Sequence, residues 1–76
     1  VGNRHALHVE VGRYTAWIYG RDGRDIFTLL DEVGLERRQW DQDRRVWMIP
    51  MQFADDVMAY AEWKQRRVVT CEAVER

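Results

Sequence analysis

The side chains able to do covalent or metal chemistry are few and poorly placed to cooperate. Cys71 is the one cysteine. A structural zinc site wants four ligands, and thiol catalysis wants an oriented histidine, which nothing in the sequence places. Cys71 therefore reads as a small buried hydrophobe in the last strand. His5 and His8 are three apart, a spacing that sends them to opposite faces of a strand and prevents chelation of one ion there. Asp41-x-Asp43 lacks the glycine and distal glutamate of a calcium loop. Asp55 and Asp56 suit the start of a helix before they suit acid–base work. Serine is absent from the chain, so no serine nucleophile exists. No catalytic set, metal site or cofactor site emerges, and a non-enzymatic binding module is expected.

Binding chemistry is better represented. In the stretch Arg37-Arg38-Gln39-Trp40-Asp41-Gln42-Asp43-Arg44-Arg45-Val46-Trp47-Met48-Ile49-Pro50, four arginines surround one hairpin with two tryptophans close by. Guanidinium groups fork to phosphates, and aromatic rings stack on unpaired bases. Arg37, Arg38, Trp40, Arg44 and Arg45 are thus the candidate nucleic-acid contacts. Asp41 and Asp43 cancel part of that charge, and the competing reading is a solvated hairpin tip above buried tryptophans. Upstream, Gly20-x-x-Gly23 precedes a helix, where free N–H groups can hold a phosphate. Arg21 and Arg24 would assist and Asp22 and Asp25 would repel; a bare GxxG is a weak signal, and an ordinary turn is the commoner origin of this spacing.

These residues need elements to position them. Residues 6–11 alternate as a strand, and 14–19 are β-branched and aromatic. Gly12-Arg13 between them suits a two-residue type II′ turn. A helix is expected over 24–33, where Ile26, Leu29, Leu30 and Val33 form a core stripe. Asp22 or Asp25 would cap it, and Gly34 would stop it. Strands at 36–40 and 45–49 flank the turn Asp41–Arg44, and Pro50 ends the second. A second helix is expected over 51–65 with Phe53, Val57 and Tyr60 inward and Ala61 and Trp63 at the edges. A last strand covers 67–74.

The helix–hairpin–helix portion resembles the HARP domain of annealing helicases. In that family a helix leads into a strand of basic, aromatic and aspartate residues, a short polar turn, a basic residue, then Trp-x-apolar. Here these features fall on Ile26–Val33, on Arg38, Trp40 and Asp41, and on Arg45, Trp47 and Ile49. The helix with Phe53, Val57 and Tyr60 follows. The resemblance covers roughly residues 24–65. It implies a DNA-structure-binding accessory fold without a helicase motor.

The order ββαββαβ predicts an α+β fold, with both helices on one face of a mainly antiparallel sheet. Without its first strand the order is ferredoxin-like. A hairpin partner at 6–11 then competes for a place beside the central strand, so either the sheet order differs or this segment extends an edge. Trp17 and Tyr19 share one face of their strand, opposite Ala16 and Ile18. A strand apolar on both faces expects cover on both, and a second subunit would supply it. If Trp17 and Tyr19 lie on the open side, they form with Trp63 an aromatic docking surface for a protein.

Composition sets the outer limits. Seventy-six residues, 46% of them hydrophobic, make one small domain over residues 1–76 with room for a single core. The formal charge is -1, which disfavours a mode that coats phosphates by charge alone. Eleven arginines against one lysine, Lys64, point to a GC-rich genome such as that of an actinobacterium or its phage. No apolar run approaches the ~20 residues of a membrane helix. The first residues lack a signal-peptide core, and a free thiol fits a cytoplasmic protein. Two functions follow as expectations. One is binding of single-stranded or forked DNA by the Arg/Trp hairpin. The other is a protein-interaction module, such as a small phage-encoded protein that docks on a host protein.

Overall fold

A computed structural model describes residues 6–74. The elements are β1 (Leu7–Val11), β2 (Thr15–Tyr19), α1 (Gly23–Val33), β3 (Gln39–Asp41), β4 (Val46–Pro50), a 3-10 turn (Met51–Phe53), α2 (Ala54–Trp63) and β5 (Val69–Ala73). The architecture is α+β, with five strands in the order β3-β4-β2-β1-β5. Neighbouring strands are antiparallel except β1 and β5, which run parallel. The sheet is therefore mixed.

This order resolves the competition beside β2. The crossovers β2-α1-β3 and β4-α2-β5 both join parallel strands, as in a ferredoxin-like unit. In that unit the last strand would lie against β2. Here β1 occupies that place through its hairpin with β2, and β5 moves out by one position to pair with β1. Crossovers of one hand put both helices on the same face. There Ile26, Leu29 and Leu30 of α1 meet Ala54, Val57 and Ala61 of α2 over Leu7, Val9, Ala16, Ile18 and Ile49. Ala16 and Ile18 thus face the helices, and Trp17 and Tyr19 face the open side.

Local chemistry sets the element ends. Asp22 caps α1 by accepting from the Arg24 N–H at 2.9 Å. Gly34 ends the helix in the left-handed region at φ 84°. The Leu35 N–H returns to the Leu30 carbonyl at 3.0 Å, and the Leu35 side chain is buried, a Schellman closure with its hydrophobic contact. The first hairpin turns one residue later than expected. The Gly12 N–H donates to the Thr15 carbonyl at 2.8 Å, leaving Arg13 and Tyr14 as the loop. Gly12 packs under Trp17, where an added Cβ would lie 2.8 Å from the ring.

The second hairpin is also shifted. β3 is confined to Gln39–Asp41, and the turn occupies residues 42–45. The Asp41 carboxylate accepts from the N–H groups of Asp43 and Arg44 at 3.1 and 3.2 Å, which holds the turn together inside the Asp41–Val46 strand pair. Arg45 completes it at φ 55°. The second helix begins as a 3-10 turn, since Pro50 fixes an extended approach. Cys71 corrects the expectation of a buried thiol: β5 is an edge strand, and Cys71 is exposed on it.

Candidate functional site

The arginines of the second hairpin do not act as one patch: Arg37 and Arg38 precede β3, and Arg44 and Arg45 lie in the turn, where the left-handed backbone at Arg45 parts them. Trp40 and Trp47 are register partners across β3 and β4 and both face the helix side. Their rings sit 5.3 Å apart, tilted by 59°, and Phe27 of α1 lies 5.7 Å from Trp47. The Trp47 Nε1–H donates to the Gly23 carbonyl at 2.9 Å, locking the hairpin to the first residue of α1. Gly23 is required here: an added Cβ would lie 2.7 Å from the Trp40 ring. The Trp40 Nε1–H donates to Gln42 at 3.1 Å.

This aromatic cluster floors an open groove whose rim carries Arg21, Arg24 and Arg45. The opposing carboxylate is Asp22, which is occupied in capping α1. Among the described residues no ion pair engages the guanidinium groups of Arg21, Arg24 or Arg45, so three free cations surround partly exposed rings. Phe27 is 42% exposed and Trp40 half-buried, so ring faces are accessible. The left-handed backbone at Arg45 turns that side chain toward the groove, away from Arg44.

The remaining hairpin arginines are spent elsewhere. Arg38 lies over the Phe27 ring at 4.5 Å, donates to the Leu35 carbonyl at 2.9 Å and approaches Asp31 at 3.7 Å. It braces the wall of the groove. Arg37 is exposed and borders a second depression with Tyr14, Met48 and Pro50. Arg44 crosses to the open face. It sits 5.7 Å over Trp17 and 5.8 Å over Tyr19, donates to the Tyr19 hydroxyl, and lies 3.6 Å from Glu10. Of the five hairpin candidates, the structure gathers Trp40 and Arg45 in the groove; Arg38 stacks on Phe27 but lines the second depression with Arg37. To the groove the structure adds Arg21, Arg24 and Phe27.

The candidate docking surface of Trp17, Tyr19 and Trp63 is not continuous. Trp17 is only 9% exposed, wedged over Gly12 and beneath Arg44. The Tyr19 hydroxyl donates to Glu10 at 2.9 Å. Trp63 is 78% exposed at the end of α2, on the opposite face of the sheet.

The open face carries one group able to approach a metal ion among the described residues, formed by His8, Glu10 and Glu72, with candidate ligand atoms within 4.8 Å of one another. His8 Nδ1 is 2.6 Å from the Thr70 hydroxyl, and Nε2 is 3.7 Å from Glu72. Tetrahedral zinc at ~2.1 Å bonds wants donors about 3.4 Å apart. The trio is wider than that and is already tied into the Tyr19–Arg44 network, so it reads as polar cover for the sheet. His5 lies outside the described residues.

Compared with known families, curated proteins and solved structures, the chain matches none. No helix among the described residues is long and apolar enough to cross a membrane.

The groove was half visible in sequence. Trp40 and Arg45 carried a signal, and the Gly20-x-x-Gly23 spacing marked Arg21 and Arg24. The juxtaposition of the two segments had none, because it arises from the β2-α1-β3 crossover. Phe27 was missed; its signal is an aromatic lying outside the Ile26, Leu29, Leu30 and Val33 stripe.

Proposed function

We propose that this domain is a non-enzymatic binding module that holds single-stranded or forked DNA in the groove between the start of α1 and the β3–β4 hairpin. The observation that carries the reading is the ring of Arg21, Arg24 and Arg45, none of them ion-paired among the described residues, around the Trp40, Trp47 and Phe27 cluster. Rings that are accessible at their faces suit unpaired bases, and free guanidinium groups suit the backbone beside them. The near-neutral net charge fits a local contact of a few phosphates. The resemblance of residues 24–65 to the HARP domain supports the same substrate class.

The test is fluorescence anisotropy with labelled single-stranded, duplex and forked DNA at low and near-physiological salt. Single strands and forks should bind better than duplex. Three phosphate contacts should give a log–log salt slope of about -2, at roughly 0.7 per single-strand contact. Arg24→Glu and Arg45→Glu should each weaken binding at least tenfold, and Arg44→Glu should leave it unchanged. Absence of binding at low salt would refute the reading.

One observation favours the alternative of a protein-interaction module that docks on a host protein. Trp63 is 78% exposed on α2, and tryptophan is enriched at binding hot spots. A domain that binds no DNA at low salt but loses a protein partner on Trp63→Ala would belong to that class.

A further inference from the structure

The two edges of the sheet are treated differently. β3 is three residues long, ends in Asp41 and follows Arg37 and Arg38, so its edge is short and flanked by charge. β5 spans Val69–Ala73 and carries one charged residue, Glu72. It has no lysine, arginine or proline to deter strand addition. Thr70, Cys71, Glu72 and Ala73 are all exposed, and Val68 just before them is 70% exposed.

The main chain defines what this edge offers. The Leu7 N–H donates to the Val68 carbonyl at 2.9 Å, and the Val74 N–H to the Val11 carbonyl at 2.9 Å. Strand alternation then turns the main-chain groups of Thr70 and Glu72 toward β1 and those of Val69, Cys71 and Ala73 outward. Among the described residues nothing pairs with that outer row.

We propose that β5 pairs antiparallel with β5 of a second copy about a two-fold axis at Cys71, joining two sheets into one. In this register Cys71 meets Cys71 of the second copy and Val69 meets Ala73, so every outward N–H and C=O of the three residues finds a partner. On the other face Thr70 lies opposite Glu72, a hydroxyl beside a carboxylate. A shift centred on Glu72 sets two carboxylates face to face, which is unfavourable. A shift centred on Thr70 sets Ala73 against Arg67, whose N–H already donates to the Ala61 carbonyl and whose side chain is buried against Asp25. The groove lies at the β3–β4 end of the sheet, so pairing through β5 leaves it open in both copies.

The test combines sedimentation equilibrium with residue-resolved amide exchange. A strand-edge contact is smaller than the ~1,200 Å² of standard interfaces, so the 9.2 kDa chain should double in mass across about 10–500 μM. Amides of Val69, Cys71 and Ala73 should gain protection with concentration, while those of Thr70 and Glu72 are protected throughout. Cys71→Lys places two ammonium groups opposite each other and should weaken association at least tenfold; Cys71→Ser should not. Retained protection at Thr70 and Glu72 shows that Cys71→Lys keeps its fold. A monomer at the highest concentration, an undiminished dimer in Cys71→Lys, or new protection outside β5 would each overturn the proposal.

Discussion

The Arg67 guanidinium meets the Asp25 carboxylate with both terminal nitrogens, at 2.7 and 2.8 Å, and its side chain is fully buried. Gln65 accepts from Arg67 Nε at 2.6 Å and donates to Glu32. Two points on α1 are thereby tied to the loop that follows α2, across 42 residues of sequence. Removing one partner of such a pair strands a buried charge, at a cost of roughly 3–5 kcal/mol. Asp25→Ala should lower the urea midpoint accordingly, a large share of the stability of a domain this small. Asp25→Leu combined with Arg67→Met removes both charges and should cost clearly less than Asp25→Ala alone. Equal losses would show that packing, not the charge, sets the effect.

Arg45 sits at φ 55°, a left-handed position that an L side chain occupies at a cost of roughly 1–2 kcal/mol. Glycine occupies it freely. Arg45→Gly should therefore raise the unfolding midpoint while lowering affinity for single-stranded DNA. Opposite signs for stability and binding separate a functional side chain from one kept for the fold. A destabilised variant in urea unfolding would show that Arg45 contributes contacts outweighing its backbone strain.

The local elements were legible wherever a side chain signalled its own backbone. Asp22, the Ile26–Val33 stripe and Gly34 define α1 to within a residue of its observed span. The face of β2 was undecidable, because Ala16 and Ile18 are as apolar as Trp17 and Tyr19; only the placement of both helices selects between them. The exposure of Cys71 follows from the position of β5 at an edge, which depends on β1 taking the place beside β2. Arg44 and Arg45 are adjacent in sequence and part at the left-handed residue, so the hairpin read as one basic patch divides between two faces. The Arg67–Asp25 pair had no signal at all, since each residue sits among other charges in sequence.

Two glycines separate backbone effects from crowding. Gly34 is left-handed with open space around it, so Gly34→Ala should cost about 1 kcal/mol from the backbone alone. Gly23 opens α1, where alanine is the better helix former, yet its Cβ would press on Trp40 at 2.7 Å. Gly23→Ala should then cost about 1–3 kcal/mol from overpacking and shift the Trp40 indole resonance. If thermal unfolding instead shows Gly23→Ala to be stabilising, the hairpin moves freely against the helix and the groove is not a preformed site.

Trp40 and Trp63 provide the sharpest contrast between the two functional readings. Trp40 lies half-buried in the groove beside Arg45, and Trp63 is exposed on α2. Stacking of one base on an aromatic ring is worth about 1–3 kcal/mol. Trp40→Ala should therefore weaken single-strand binding by roughly fivefold to over a hundredfold. It should do so with little change in salt slope, since no phosphate contact is lost. Arg24→Glu should reduce both affinity and slope. Trp63→Ala should change neither. Anisotropy titrations at several salt concentrations distinguish these patterns. A Trp40 variant that changes only the slope would place the base elsewhere, and a Trp63 variant that abolishes binding would move the contact to α2.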